Sequence, residues 1–539
     1  MDVLKRKSIE KKRLISESYG KRPQDQSFDR NLIERDWSIS SLQISDQDKV
    51  DDTTWFDLEM DQIYCDINHC KSFAGDQILY SIMHITGKSK DTDFERKINF
   101  FELNKRNRDE IWYIISGMGK SADNYYLPVY IENLEAFKIP HIEYYRFMRM
   151  LLFFSFIPAV VFMDYVYLMF PFFVALINIV IYAFQKNKYE SYLNMLEGVL
   201  KTINAAKQIS KDPSLEYEQN FKELTDKIIV FQKLYSKIGK LQYRAASNLS
   251  GDIFTLMESF TFGITLWDLI QYDKVISHLV KLKKELRELY RLIGEIDAAI
   301  SVASFRKTLP MFCTPVFSKD DTIKGQGIFH PFIEQPVYNS IEVNKGCIIT
   351  GSNASGKSTF IKSLAINAVL GQSIYTCMAE SFRMPVCSVI TSMAVRDEVL
   401  SGESYYIKEI KYLNRIIKTL NSEKMVFCVI DEILRGTNTE ERIAASCAIL
   451  KYLCKKKCIA VIATHDIELS VMLGERYSNF HFTELIQNNE IIFEYKLYPG
   501  PATSRNAIKL LEIMGFPKEI IEAAEIIVSD IDKIPSQKL

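Results

Sequence analysis

Two glycines, a lysine and a serine stand at fixed spacing in the stretch GSNASGKS, residues 351–358. The glycines let the backbone turn so that its N–H groups face phosphate oxygens, and the helical pattern that follows presents its N-terminus to the same charge. Lys357 would bridge the β- and γ-phosphates, and Ser358 would ligate Mg²⁺. The stretch predicts a loop that binds ATP with Mg²⁺, formed by Gly351, Ser352, Asn353, Ala354, Ser355, Gly356, Lys357, Ser358 and Thr359.

Two buried runs downstream end in residues suited to hydrolysis. MVFCVIDEI (425–433) reads as a strand whose end carries Asp431, which would hold the Mg²⁺ shell, and Glu432, which would polarise the attacking water. VIATHD (461–466) is a similar strand that ends in His465, which would sense the γ-phosphate. An acidic pair can be merely a cap, and a strand-end histidine can satisfy a core hydrogen bond. After a phosphate loop the catalytic interpretation is favoured, with Lys357, Glu432 and His465 in catalytic roles.

A long apolar segment upstream predicts a different environment. Residues 151–184 contain one charged residue, Asp164. A single helix of that length would measure about 51 Å, which exceeds a hydrocarbon core of about 30 Å. Two helices of about 17 to 20 residues, turning near Asp164, fit a bilayer better. The alternative is a buried helical pair in a large soluble core.

Charges flank this segment on both sides. Arg146 and Arg149 precede it, and Lys186 and Lys188 follow it, so both ends are expected in the cytoplasm. We therefore expect a two-pass transmembrane hairpin over residues 146–188, in contact with lipid through 147–185. This places the chain in the inner (cytoplasmic) membrane, with its ATP-binding domain in the cytoplasm. Two prolines, Pro158 and Pro171, would kink the helices, which membrane helices tolerate.

Composition excludes few other classes. The 539 residues are enough for roughly three or four domains, and the net charge of −1 gives no global basic field of the kind that nucleic-acid binders show. The ten cysteines lack zinc-type spacing, so reduced thiols of a cytosolic protein are expected. Residues 1–50 are expected to form a polar leader, flexible or helical. Its basic cluster is either solvated or touches anionic lipid or DNA, and comprises Lys5, Arg6, Lys7, Lys11, Lys12 and Arg13.

Periodicity divides the rest of the chain into three regions. Residues 51–145 have apolar side chains three and four apart, which predicts helices. Residues 189–308 predict long helices with charged outer faces, either coiled-coil arms or a packed helical domain. From 309 to 539 short β-branched runs alternate with helical segments, which predicts an α/β domain with a largely parallel sheet. The predicted fold is therefore an α/β P-loop ATPase domain at the C-terminus, preceded by an α-helical region that the hairpin interrupts.

The motifs of the C-terminal half resemble those of the MutS mismatch-repair ATPases. TGSNASGKST is similar to the family's phosphate loop and keeps its asparagine, Asn353. DEILRGTNTEERIAASCAIL resembles the family's DEIGRGT and alanine-rich helix, and THDIEL resembles its THYHEL. The approach GIFHPFIEQPVYNSI resembles the family's GRHP…N, with His330, Pro331 and Asn339 in place. The resemblance implies an ABC-type ATPase domain that works with ATP and Mg²⁺, and 290–530 carries it most strongly.

A further likeness implies a composite site. GESYYIKEI resembles the family's signature loop, in which Ser404 would reach the γ-phosphate bound by the other subunit and Glu409 matches the acid. A homodimer is therefore implied. Residues 51–145 and 189–308 resemble pieces of the family's core and of its lever or clamp region. The adenine contact of the family is an aromatic residue ahead of the phosphate loop, for which Tyr338 or Phe332 could serve.

The chain also departs from the family. No Phe-x-Glu stretch precedes Trp55, so we expect neither the family's mismatch-sensing domain nor its connector domain there, and the apolar hairpin falls where the family has soluble helices. The likeness is therefore to shortened, membrane-inserted MutS-related proteins.

Two hypotheses for function follow. In the first, a membrane-anchored MutS-like ATPase closes as a dimer and couples closure to DNA binding, in mismatch repair or recombination rather than in mismatch recognition itself. In the second, the same closure acts as a switch on a protein partner without nucleic acid. Phosphate contacts in the first would come from basic residues that otherwise form a solvated face, namely Lys233, Lys237, Lys240, Arg244, Lys281, Lys283, Lys284, Arg287 and Arg291.

Overall fold

The computed structural model describes residues 2–23, 28–86, 92–211, 219–247, 261, 263–352, 355–393, 405–421, 423–487, 490–502 and 511–531. These residues belong to two compact units. Unit 1 contains Met1–Leu42, Ile67–Ser81 and Thr92–Phe305. Unit 2 contains Gln43–Asp66, Ile82–Asp91 and Arg306–Leu539.

Unit 1 is helical, and unit 2 carries the strands. The helices in chain order are α1 (Asp2–Ser18), α2 (Arg30–Ile33), α3 (Arg35–Ser40), α4 (Asp52–Asp57), α5 (Met60–Ile67), α6 (Phe73–Met83), α7 (Thr92–Leu103), α8 (Lys105–Ser116), α9 (Leu127–Glu132), α10 (Ile142–Phe154), α11 (Ile157–Phe162), α12 (Met169–Ile209), α13 (Gln219–Ser247), α14 (Trp267–Lys281), α15 (Lys283–Thr308), α16 (Lys357–Ile374), α17 (Tyr405–Thr419), α18 (Thr439–Leu453), α19 (Ile467–Leu473) and α20 (Lys518–Ile531). The strands are β1 (Val316–Ser318), β2 (Thr322–Ile328), β3 (Asn339–Asn344), β4 (Gly346–Thr350), β5 (Ser381–Pro385), β6 (Ser388–Ser392), β7 (Val426–Asp431), β8 (Cys458–Thr464), β9 (Ser478–Gln487) and β10 (Glu490–Pro499).

The long helices of unit 1 are packed rather than free-standing. On α12, Leu196, Val199 and Ile203 recur at helical spacing and are buried. The helix α12 contacts α8, α9, α10 and α13, and α13 contacts α14. Of the two arrangements expected for residues 189–308, the described residues therefore form the packed helical domain.

The N-terminal leader takes the helical form of the two that were expected. Its helix α1 lies against α8, where Lys12 pairs with Glu110 and the Ser16 hydroxyl donates to Asp109 at 2.6 Å. Arg13 pairs with Glu17 within α1. Part of the basic cluster is thus matched by acids of unit 1. The flexible alternative was plausible because these partners are about a hundred residues away in the chain.

The apolar segment forms a helical hairpin whose first arm is broken. α10 ends at Phe154, α11 ends at Phe162, and the left-handed residue Met163 (φ 50°) begins the turn. Asp164 stabilises the turn, since its Oδ1 accepts a hydrogen bond from the Val166 N–H at 3.0 Å. The second arm runs on through α12, and α10 packs against α12.

The two prolines of the hairpin differ in their effect. Pro158 directly follows the break between α10 and α11, and α10 ends at Phe154, whose carbonyl a proline four residues later would meet, so this break agrees with the expected kink. Pro171 lies in the first turn of α12, where a missing N–H leaves no helical hydrogen bond unmade, so it starts a helix instead of bending its interior.

Both arms of the hairpin expose large apolar side chains. Val160, Phe162 and Phe184 are 70%, 64% and 82% exposed, and similar residues lie between them. Within the described residues, Leu134–Phe162 and Tyr165–Gln185 are long and apolar enough to cross a membrane, by length and composition.

The α/β architecture expected for the C-terminal region is confirmed. A six-stranded sheet has the order β10-β9-β4-β8-β7-β6, in which the five strands from β9 to β6 are parallel and β10 is antiparallel. A second, mixed sheet has the order β1-β5-β2-β3. The residues of β4, β6 and β8 are buried throughout, as strands of a sheet covered on both faces require.

The N-terminal helix α4 and nearly all of α5 belong to unit 2. α4 packs against the edge strand β6, where the Thr391 hydroxyl and the Met393 N–H donate to Asp57 at 2.7 and 3.0 Å. Asp51 adds an ion pair with Arg415 on α17. Residues near the start of the region 51–145 therefore cover an open edge of the six-stranded sheet.

Candidate active site

The parallel sheet brings the predicted site residues to one edge. Carboxyl ends of parallel strands meet at the same side of a sheet, where ligands of open α/β folds bind. Thr350, which ends β4, is registered with Thr464 of β8, and Asp431 of β7 is registered with Ala463 of β8. The phosphate loop, the acidic pair and His465 follow these three adjacent strand ends.

The phosphate loop has the backbone form that its glycines predict. Gly351 has φ 146° and Gly356 has φ 99°, both in the region that side chains disfavour. A Cβ on Gly351 would lie 2.8 Å from the Phe482 carbonyl oxygen. The N–H of Ser355 donates to the Ser352 carbonyl at 3.2 Å, and the helix α16 begins at Lys357.

Lys357 is directed into the loop. Its side chain is buried, and its Nζ donates to the carbonyl oxygens of Gly351 and Ser352, each at 2.6 Å. Burial lowers the pKa of Lys357, while the carboxylates of Glu432 and Asp431 act in the opposite direction. A phosphate oxygen is a stronger acceptor for this ammonium than a carbonyl, so the lysine is placed to exchange one for the other.

Ser358 and Asp431 form a fitting pair of ligands for Mg²⁺. Burial raises the pKa of Asp431, and a hydrogen bond from Ser358 partly counters this effect. The second carboxylate oxygen, Oδ1, is buried and has no hydrogen-bond partner among the described residues. Mg²⁺ is usually held by one or two protein oxygens together with substrate phosphates, so this pair suffices. No cluster of three or more His, Cys, Asp or Glu that could hold a metal occurs in the described parts of the chain.

Glu432 is held between two cationic groups. It lies in the left-handed region (φ 59°), its N–H donates to Ala463 at 2.9 Å, and its side chain is buried. Its carboxylate pairs with Arg435, and its Oε1 lies 3.4 Å from His465 Nδ1. Burial alone would raise the pKa of Glu432, but the hydrogen bonds from His465 and Arg435 outweigh it and lower the pKa to about 2. Its contribution to stability is present above its ordinary pKa of 4.5 and is lost as pH falls toward 2.

His465 is positioned by Glu432 on one side and by Asp466 on the other. The hydrogen bond with Glu432 is the chief cause that raises the pKa of His465, and its Nε2 lies 3.6 Å from Asp466 Oδ1. Asp466 is fixed by a two-point pair with Arg442 on α18, at 2.7 and 3.0 Å. The imidazole is half exposed at this edge, so it can reach a ligand there.

Glu409 on α17 holds the loop that follows β7. Its carboxylate accepts the N–H groups of Arg435 and Gly436 at 3.1 and 3.3 Å. Burial raises the pKa of Glu409. Leu434 in the same loop also has a positive φ of 58°. Strained backbone that neighbours hold in place is common at functional sites.

Two residues that precede the phosphate loop, Asn339 and His330, have structural surroundings. Asn339 donates to the Tyr495 carbonyl at 2.9 Å and accepts from the Leu497 N–H at 2.8 Å, which ties β3 to β10. His330 is buried, and its pKa is lowered to about 4. Burial is the larger cause, and the positive charge of Lys362 is the smaller one. The candidate adenine contacts differ in exposure, since Tyr338 is 49% exposed beside Phe329 whereas Phe332 is half-buried beside His330.

Three predicted residues lie outside the described parts of the chain: Asn353, Ala354 and Ser404. Thr359 is in the exposed first turn of α16, and Ser352 donates to Glu484 at 3.2 Å. Sequence reasoning assigned no role to Arg435, Arg442, Asp466 or Glu484, although Arg435 lies three residues after Glu432. The opposite charges of Glu432 and Arg435, three residues apart, were the signal in the sequence that could have identified Arg435. Nothing in the local sequence signals the pair of Arg442 with Asp466.

We predict a pH-dependent effect of His465→Gln on stability. The raised pKa of His465 means that the protonated form stabilises the fold, fully below the ordinary pKa of 6.5 and no longer above the raised value. The Tm of the variant should therefore fall below that of the wild type at pH near 6, and the gap should close as pH rises. In a Glu432→Gln background the gap should shrink at every pH. A gap that widens above neutral pH would contradict the pairing.

Comparison with known proteins finds relatives of the region that contains these residues. Residues 347–532 match the family described as MutS domain V. The DNA mismatch repair protein MutS of Petrotoga mobilis is 28% identical over 367 residues, 64% of this chain and 44% of the relative. MutS of Thermus thermophilus is 28% identical over 251 residues, 45% and 30% of the two chains. The human protein named MutS protein homolog 4 is 29% identical over 320 residues, 56% and 34% of the two.

The chain spans less than half the length of these curated relatives. The matched region includes the phosphate loop, the acidic pair and His465. This chain is therefore similar to MutS proteins, and its residues 347–532 are similar to MutS domain V.

Proposed function

We propose that the chain is a membrane-anchored, MutS-like ATPase that hydrolyses ATP with Mg²⁺ at a dimeric composite site and couples closure to DNA binding. The observation that carries the ATPase part is the Ser358–Asp431 pair at the edge where Lys357 and Glu432 also lie. In this pair the buried Asp431 Oδ1 has no hydrogen-bond partner among the described residues. A buried carboxylate oxygen without a partner is costly unless a cation takes it.

Each site residue has a separate role in ATP binding or hydrolysis. Loop N–H groups and Lys357 bind phosphate oxygens, and Ser358 and Asp431 would hold Mg²⁺, which neutralises charge on the phosphates. Glu432 accepts a proton from the attacking water. In the described arrangement Arg435 and His465 keep that carboxylate weakly basic. Hydrolysis therefore requires the loop after β7 to move so that Glu432 is released from Arg435.

A second subunit supplies the cause of that movement. Ser404 directly precedes α17, and on α17 Glu409 holds the N–H groups of Arg435 and Gly436. Contact between Ser404 and the nucleotide of the partner subunit would shift the start of α17. Glu409 would pass this shift to the loop that carries Arg435. A homodimer would thus hydrolyse ATP only when closed.

DNA is the proposed substrate because the similar proteins are named for DNA mismatch repair. Several expected phosphate contacts have other partners, however. Lys283 pairs with Glu132 and Arg287 pairs with Asp36, each at 2.7 Å, and Arg291 pairs with Glu295. The side chains of Lys233, Lys237, Lys240 and Arg244 lie outside the described residues. The available set of cations is therefore smaller than the sequence predicts.

Anchoring in the inner membrane is proposed from the exposed apolar arms and their cationic flanks. The tip of the hairpin carries the charged Asp164 between Met163 and two tyrosines, Tyr165 and Tyr167. Tyrosine and charge are typical of the membrane–water interface and not of the hydrocarbon core. This composition suits a tip that has crossed the bilayer, as a two-pass topology requires.

A second candidate function is a membrane-bound, ATP-driven switch that acts on a protein partner without nucleic acid. The internal pairing of Lys283, Arg287 and Arg291 favours it, because it removes cations that DNA would need. Asp164→Asn discriminates between the two. A simple anchor tolerates this change if insertion is preserved, whereas a switch that acts through the hairpin should change its rate of ATP turnover.

We predict that Lys357→Ala and Glu432→Ala separate binding from hydrolysis. Loss of the charge-assisted bonds of Lys357 should weaken ATP binding by about one to two orders of magnitude. Glu432→Ala should bind ATP and persist as a closed dimer, with hydrolysis reduced by about 10²- to 10⁴-fold. Nucleotide binding, sedimentation and phosphate release measure these effects. Thr322→Ala, at a partly exposed position on β2, serves as a surface control. Hydrolysis retained in both site variants would refute the assignment.

We predict ATP-modulated DNA binding by the full-length protein in detergent. Binding should be strongest at low salt, because phosphate contacts release counterions, and should fall steeply at moderate salt. Perfect duplex, mismatched duplex and a four-way junction are the probes, each with and without ATP, and Lys357→Ala is the control. Absence of binding to every probe, with ATP hydrolysis intact, would exclude the DNA function and leave the switch.

A further inference from the structure

A segment outside the hairpin lies against its second arm. Asn178 on α12 is fully buried, and its Nδ2 donates to the Ile264 carbonyl at 2.7 Å. One helical turn further along α12, the Tyr182 ring lies against Gly263, where an added Cβ would stand 3.2 Å from Tyr182 Cδ1. The backbone at 263–264 therefore touches α12 directly, just before α14 begins.

This contact lies at the level of the exposed apolar surface. Asn178 is fourteen residues beyond Asp164 and eight before Lys186, which places it about 21 Å from the tip and about 12 Å from the cationic end of α12. On the opposite sides of the same helical turns, Leu176, Ile177 and Val180 are each about half exposed. If the hairpin crosses a hydrocarbon layer of about 30 Å, this level is inside it.

Two polar groups of this region have hydrogen-bond partners within the protein, whereas the buried Oδ1 of Asn178 has none among the described residues. Residues 263–265 are helical, and the left-handed Leu266 (φ 50°) interrupts the helix before Trp267, so backbone groups at this interruption need partners within the protein at that depth. Here the Ile264 carbonyl accepts from Asn178, and the Thr265 hydroxyl donates to the Thr261 carbonyl at 2.9 Å. Gly263 allows the close approach that small residues give to membrane helices.

We propose that Gly263–Leu266 is a third membrane-embedded element, which enters the leaflet nearer Lys186 and is held on α12 by Asn178, with lipid acyl chains on its other side. The proposal rests on the membrane anchoring described under Proposed function. Asn178 is a positioning residue for this element, and α14 starts immediately after it at Trp267. The membrane-facing surface of the protein is then broader than a two-helix hairpin.

Spin labels in the full-length protein, reconstituted in liposomes, test the depth of the element. The three partly exposed cysteines, Cys65, Cys313 and Cys454, are first replaced by serine. Single cysteines are then introduced at Thr261, at Phe172 in the exposed hairpin, and at Leu42, which is 84% exposed in unit 1. Accessibility to oxygen relative to a water-soluble nickel chelate reports whether each label is in lipid or in water.

The expected oxygen-to-nickel ratio is high at Phe172, low at Leu42, and closer to the Phe172 value at Thr261. Asn178→Leu should lower the ratio at Thr261 toward that of Leu42, whereas Ile177→Leu on an exposed face should leave it unchanged. A Thr261 label in water beside a Phe172 label in lipid would overturn the third element alone. A Phe172 label in water would overturn the anchoring itself, and this proposal with it.

Discussion

The site depends on two consecutive carboxylates at the end of one strand, the partly buried Asp431 and the buried Glu432. Removing Asp431 and Glu432 from water costs free energy that the surroundings must offset. Arg435 and His465 do so for Glu432, and their effect is seen in its pKa of about 2. Ser358 does so only partly for Asp431, because Oδ1 is left without a partner among the described residues. That imbalance is the physical reason for a cation at Asp431, and it links the phosphate loop to β7.

The neighbouring elements can be understood as supports for this pair. Glu409 fixes the loop that presents Arg435, and Arg442 fixes Asp466 beside His465. Each support comes from a different helix, so a shift of α17 or α18 would change the charge around Glu432. In the function that we propose, a base that is restrained in this way hydrolyses ATP slowly until those helices move. Such a restraint suits a protein that must remain in its ATP-bound form long enough to act on a partner or on DNA.

The sequence alone predicted the positions of residues that belong to local motifs of fixed spacing. The phosphate loop, Asp431 and His465 lie where their strand ends predict, because a buried parallel sheet leaves little freedom in the positions of its carboxyl ends. Arg442 with Asp466, and Asp57 with Thr391, could not be predicted, since their contacts join distant segments; the latter pair is separated by 334 positions. The kink expected at Pro171 was wrong because the sequence does not show where a helix starts within an unbroken apolar run. Ser404 stays a prediction from the resemblance.

The most direct test of the account is the dependence of ATP hydrolysis on Mg²⁺ in the purified full-length protein and in Asp431→Asn. Asparagine keeps the size of the side chain and removes the charge that a cation would neutralise. The account predicts hydrolysis that requires Mg²⁺ in the wild type and is lost, together with the Mg²⁺ dependence of nucleotide binding, in the variant. Hydrolysis in Asp431→Asn at the wild-type rate and with the wild-type Mg²⁺ dependence would contradict it.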